Sequence, residues 1–164
     1  MKLSKRLQVI ADLIENGASV ADIGTNHGHL PVYLARNGLA DRIIASDISS
    51  ASLAAARRSA EDADVTESIT FVVAPGLDGV KPTDVDTIII AGVGGETILG
   101  ILKDAPWTKS SRIRLILQPQ TKIDILLSFL YDDGYVIKQT KTVLDRGKLY
   151  TVILATGGDH DRHD

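Results

Sequence analysis

Apolar residues at positions 3, 7, 10, 13 and 14 of LSKRLQVIADLIEN recur at helical spacing. They predict an amphipathic helix over Leu3–Asn16, with Ser4 as its cap and Gly17 where a helix should stop. A short apolar strand, Ser19–Ile23, follows, and then a loop that leaves as a helix reaching about Asn37. The same alternation continues through the chain: a buried strand over Arg42–Ser46, an Ala-rich helix from Ser50 to about Asp62, and a strand over Ile69–Val73. Asp86–Ala91 is a continuous apolar strand, Glu96–Lys103 a short helix, Arg112–Leu117 a strand and Lys122–Asp132 a helix. The run Tyr135–Ala155 holds two β-rich segments around Asp145-Arg146-Gly147, a hairpin signal.

Strands that alternate with helices imply a mostly parallel sheet covered on both faces. The expected fold is therefore doubly wound α/β, a seven-stranded Rossmann-like sheet whose closing hairpin contributes one antiparallel strand. Ligands of such sheets sit outside the carboxyl ends of the strands, so the loops after each strand are the ones to read for chemistry.

Composition narrows the class. The 164 residues suit one domain, with 44% hydrophobic and 24% charged residues. No stretch approaches the roughly 18 apolar residues of a membrane span, and no signal-peptide pattern opens the chain. The absence of cysteine excludes disulfides and thiolate metal sites, and agrees with a cytoplasmic location. The net charge of −3 owes much to the last six residues, DHDRHD; without them 18 acidic residues face 17 basic ones, a net of −1. That balance neither demands nor forbids an RNA partner. The expected division is a single domain over 1–158 and a disordered tail over 159–164.

Four loops carry candidate chemistry. The first, Asp22-Ile23-Gly24-Thr25-Asn26-His27-Gly28, reads D-x-G-x-x-x-G rather than the G-x-G-x-x-G of a dinucleotide turn. Its glycines allow a sharp turn and close approach of backbone N–H groups to a ligand at a helix N-terminus. Asp47 ends the second strand 23 positions after Gly24, where a carboxylate can accept both hydroxyls of a ribose; the competing reading is a cap for the helix from Ser50. Ala91-Gly92-Val93-Gly94-Gly95 lets the backbone lie flat beside a ligand, with Glu96 as a candidate cap for the next helix. Gln118-Pro119-Gln120 offers rigidly held amides suited to the edge of a base. His27 and His29 stand two apart in a turn with no third ligand near them in sequence, so no metal site is expected. Neither cysteine nor a G-x-S-x-G elbow is present for nucleophilic catalysis.

With these residues in view, the chain resembles the bacterial tRNA (adenine-N1)-methyltransferases that modify position 22, enzymes that use S-adenosylmethionine on a class I methyltransferase fold. The matching segments, in family order, are KLSKRL at Lys2–Leu7, ADIGTNHGHLP at Ala21–Pro31, IAGVGG at Ile90–Gly95, LILQPQ at Leu115–Gln120 and GKLY at Gly147–Tyr150. The resemblance implies a cofactor site of Asp22, Gly24, Thr25, His27, Gly28, Asp47, Ile48, Gly76, Leu77, Ala91, Gly92, Val93 and Gly94. It implies a catalytic group of Asn26, Gln118, Pro119 and Gln120, with tRNA as substrate and methyl transfer to adenine N1 as the reaction. Lys2, Lys5 and Arg6 are candidates for an RNA-facing patch. The chain departs from the family pattern at particular places. Asn26 stands where the family usually has Asp, Ala74-Pro75-Gly76-Leu77 replaces a GDGL loop, Val93 replaces Met, Gln120 replaces Asn, and His29 replaces an aromatic. The family's C-terminal helical domain has no counterpart in this sequence. The alternative to an active enzyme is a relative that binds S-adenosylmethionine or RNA without turnover. A nicotinamide-dependent oxidoreductase is disfavoured by the missing G-x-G-x-x-G.

Overall fold

The computed structural model describes residues 2–158, so the expected tail at 159–164 lies outside the described residues. Seven strands form one sheet: β1 (Ala18–Ile23), β2 (Ala40–Asp47), β3 (Thr70–Val73), β4 (Thr87–Val93), β5 (Arg114–Pro119), β6 (Tyr135–Asp145) and β7 (Lys148–Gly157). Their spatial order is β3-β2-β1-β4-β5-β7-β6. The first five are parallel, and β7 inserts antiparallel between β5 and β6, so the hairpin reverses one strand direction as expected. The order reverses at β1, between β2 and β4, which opens a crevice at the carboxyl ends of these strands.

Two apolar layers sandwich the sheet. On one face, helices α4 (Gly95–Lys103) and α5 (Ile123–Asp132) bury Ile98, Leu102, Leu126 and Leu130 against Ile88, Ile90, Leu115 and Leu117. On the other, α1 (Lys5–Asp12) and α2 (His29–Arg36) bury Ile10, Leu30 and Leu34 against Val20, Ile43, Ile89 and Ile116. Helix α3 (Ser50–Asp62) adds Ala60 to that second layer. The alternation of β-branched residues along β4 and β5 therefore serves both layers at once, as in a sheet buried on both sides.

Several element ends differ from the sequence reading, each for a local reason. Helix α1 stops at Asp12, because Leu13 and Ile14 close the chain with bonds to Ile10 and Ala11, three residues back. These two residues are buried, so their apolar spacing belongs to a docked turn and not to a further helical turn. Strand β4 runs through to Val93, with an irregularity at Gly92, whose φ is 79°; that glycine sits in a bulge of a strand. Strand β5 begins two residues later than expected and continues through Gln118 and Pro119, because Ser110 and Ile113 close a turn ahead of it. The hairpin keeps pairing out to Asp145 and Lys148, past the last pairing of β7 with β5 at Leu117 and Ile153. Its free end thus overhangs the side of the sheet where the crevice lies.

Candidate active site

A cavity of about 570 Å³ opens at the carboxyl ends of β1, β2, β4 and β5, a size suited to a small organic ligand. One wall comes from the loop after β1. Gly24, Asn26 and Gly28 all have left-handed φ, at 74°, 58° and 74°. Gly24 faces open space, whereas a Cβ on Gly28 would lie 2.8 Å from the Ala56 Cβ of α3. Gly28 is therefore required for helix packing as well as for its backbone angle, and Gly24 for the turn alone. Asn tolerates the left-handed region better than most residues, which explains a polar residue at position 26.

Two carboxylates stand behind this loop. Asp47 is nearly buried; its Oδ2 accepts the Asn26 N–H at 2.9 Å and its Oδ1 accepts the Ser49 N–H at 2.9 Å. It ties the ends of β1 and β2 together, while Ser49 caps α3 by accepting from Ser52 N–H at 3.1 Å. Asp47 is thus no helix cap. Asp22 is buried and accepts a 2.9 Å bond from the Thr25 hydroxyl. Burial pushes its carboxyl up to about 6; the Thr25 bond opposes this, Asp47 adds to it and Arg6 opposes it.

The opposite wall is assembled from distant parts of the chain. Gln118 is fully buried. Its Oε1 accepts Arg6 Nη1 at 2.8 Å and the Gly92 N–H at 3.1 Å. Its Nε2 donates to the Pro119 carbonyl and to Gln120 Oε1, both at 3.0 Å. Arg6 lies with its guanidinium 5.8 Å from the centre of the Tyr150 ring, and its backbone N–H reaches Asp145 Oδ2 at 3.3 Å. The overhanging hairpin is in this way clamped to α1 at the cavity edge. Apolar contact comes from Ile48 at the mouth, 72% exposed, and from Ile101.

Of the residues expected from sequence, Asp22, Gly24, Thr25, Asn26, His27, Asp47, Ile48, Gly76, Ala91, Gly92, Val93 and Gln120 line the cavity. Gly28, Leu77, Gly94, Gln118 and Pro119 are not lining residues. Leu77 belongs to the core, and Gln118 spends its whole amide inside the wall, leaving none for a ligand. Arg6, expected on an outward RNA-facing patch, turns inward and lines the cavity, whereas Lys2 and Lys5 are exposed. His27 and His29 stack with ring centres 5.8 Å apart on the cavity rim. Sequence reasoning missed Ser52, Thr97 and Ile101 as lining residues; Ser52 and Thr97 were signalled only by position in the first turns of helices that follow the site loops, and Ile101, further along α4, by nothing local.

A Methyltransferase domain family model matches residues 3–153. The tRNA (adenine(22)-N(1))-methyltransferase of Bacillus subtilis is 37% identical over 161 residues, covering 98% of this chain and 68% of that protein. This chain belongs to the tRNA (adenine(22)-N(1))-methyltransferase family. The crystal structure of the B. subtilis M1A22 tRNA methyltransferase TrmK superposes with a TM-score of 0.88 at 36% identity, over 98% of this chain and 69% of that one. M. capricolum TrmK, solved with the cofactor product S-adenosylhomocysteine, gives a TM-score of 0.85 at 30% identity, over 98% and 70% of the two chains. The methyltransferase family thus accounts for nearly the whole of this chain, which spans somewhat over two thirds of these relatives' length.

Proposed function

We propose that this protein transfers a methyl group from S-adenosylmethionine to N1 of an adenine in tRNA, with residues 1–158 as the methyltransferase domain and the cytoplasm as its place of work. The observation that carries the reading is the pair of carboxylates at the ends of β1 and β2 beside a cavity with an apolar mouth. Its donor set suits the cofactor: Asp47 is a carboxylate for the ribose hydroxyls, and Ile48 and Ile101 are apolar surfaces for a purine. Gly24 leaves the loop open where a side chain would occupy the space.

Bound S-adenosylmethionine supplies an electrophilic methyl on a positively charged sulfur. Adenine N1 carries its own lone pair at neutral pH, so the chain needs no strong base for the attack. The methylated base is a cation, and the groups that help are acceptors and negative charges already in place. Asn26 offers an acceptor to the N6 amine, and the carboxylates of Asp22 and Asp47 provide a negative field. Gln120 is the amide on the lining for the base edge, with Gln118 and Pro119 supporting it from inside the wall.

The test is mass spectrometry of nucleosides from unmodified tRNA incubated with the protein and S-adenosylmethionine. One-methyladenosine is the expected product. Cofactor binding by calorimetry without any methylated nucleoside indicates a binding protein that does not turn over. Failure to bind S-adenosylmethionine or S-adenosylhomocysteine overturns the proposal altogether.

A further inference from the structure

The hydrogen bonds around Gln118 leave its amide only one orientation. Arg6 Nη1 and the Gly92 N–H are both donors, so the atom they meet must be the oxygen. The Pro119 carbonyl is an acceptor only, so the atom 3.0 Å from it must be the nitrogen. A flipped amide would set donors against donors inside a fully buried wall, at a cost the fold would not bear. The consequence passes to the next amide. Gln118 Nε2 donates to Gln120, which therefore turns its oxygen inward. The Gln120 main chain is pinned as well, its N–H donating to the Val93 carbonyl at 2.7 Å. Gln120 lines the cavity, and its NH2 is the end of the amide with no partner among the described residues, free for a ligand there.

We infer that Gln120 reads the target base as a hydrogen-bond donor to a ring-nitrogen acceptor, and that Arg6 and Gln118 are positioning residues that set the polarity of this contact. The inference rests on the proposed function. With adenine N1 committed to methyl transfer, the acceptors left on the ring are N3 and N7, while the N6 amine is itself a donor and cannot pair with the Gln120 NH2. The N6 amine is left to Asn26, whose side chain makes no hydrogen bond among the described residues. The two amides thus divide the base between them, one accepting and one donating. A family asparagine at position 120 would be shorter by one methylene, so the longer glutamine reaches back to Gln118 for its orientation.

The test uses a tRNA-derived stem-loop carrying adenine, 3-deazaadenine or 7-deazaadenine at the methylated position, with kcat/KM measured for the wild type, Gln120→Leu and Gln118→Glu. Gln118→Glu keeps the acceptors for Arg6 and Gly92 but offers Gln120 no donor, so the Gln120 amide is free to turn. On adenine both variants are expected to lose about 10- to 100-fold. On one of the two deaza substrates the ratio of wild type to variant should collapse towards one, and that substrate names the ring nitrogen. Taking ratios cancels the altered basicity of N1 in the deaza bases. A merely structural defect lowers the rate on every substrate alike and preserves the ratio. Ratios equal on all three substrates for Gln120→Leu, an exposed position, overturn the inference even if Gln118→Glu folds poorly. Absence of methylation by the wild type on the adenine stem-loop overturns the proposed function, and the inference with it.

Discussion

Along one wall of the cavity, between the ends of β1 and β2, the polar groups are two carboxylates 25 residues apart in sequence. They are held by Thr25, Asn26 and Ser49 from the adjoining loops. Along the other wall the polar groups are amides and a guanidinium, joined by a bond between residues 112 apart, Arg6 and Gln118. The first wall sets a negative field and tolerates its own strain through positive-φ residues in one short loop. The second sets direction, because its contacts hold each amide in a single orientation. Charge suits the sulfonium and a cationic product, and direction suits the discrimination of a neutral base. A wall of carboxylates alone would attract cations without choosing among them.

Removing the acidic wall's tie should have the largest effect. Asp47→Ala deletes the acceptor proposed for the ribose and leaves the N–H groups of Asn26 and Ser49 without their partner. A loss of affinity for S-adenosylmethionine on the order of 100-fold or more is expected by calorimetry. A loss below fivefold would show that this wall does not hold the cofactor. Next comes Asn26→Asp, which adds a charge to the wall at a backbone angle that Asp also tolerates. Single-turnover methylation should rise by up to about 100-fold, and no rise would mean that the field there is already sufficient.

The pH dependence of the same wall is a smaller effect with a definite sign. Asp22 is raised to about 6 in the fold. Its contribution to stability is full below the ordinary carboxylate range and is lost as pH rises through about 6. Thermal melts should therefore show Asp22→Asn flattening the decline in stability between about pH 4 and 6.5. Ligand binding runs the other way. A sulfonium favours the ionised carboxylate, so affinity for S-adenosylmethionine should rise about fivefold to tenfold from pH 5 to 7. S-adenosylhomocysteine, with a neutral sulfur, should rise less; equal slopes for the two ligands would detach Asp22 from the sulfur. The smallest effect belongs to the second wall. Arg6→Lys keeps the charge but loses the planar fork, and a threefold to fivefold rise in KM for tRNA is expected with kcat little changed.

Much of the fold was legible because its elements are local patterns. The apolar periods of α1 and α5 and the β-branched runs of β2 and β4 mark a parallel sheet covered on both sides. Where the reading slipped, a tertiary contact had displaced the local signal: Leu13 and Ile14 continue the helical period but dock as a turn, and Gly92 looks like loop yet lies in a bulge of β4. The site divides in the same way. Asp22, Gly24 and Asp47 could be found because one strand-loop-helix unit, repeated, sets their spacing, and Asn26 because the loop resembles the family's. Gln118 was recognised as a polar residue in a promising place, but no spacing along the chain reveals that its amide is consumed inside the wall.

By itself, then, the sequence determined the doubly wound class, the end of the sheet whose loops carry the chemistry, the loop after β1 and the carboxylate at the end of β2. All of these follow from periodicity and turn chemistry acting over a few tens of residues. Only the tertiary structure decided that Arg6 turns inward and that Gln118 supports the wall without facing the ligand. It also decided that Gln120 turns its side-chain oxygen towards Gln118. Hydrogen-bond polarity depends on which partners meet, and those partners are brought together from the first turn of the chain, the bulge in β4 and the end of β5 by packing alone.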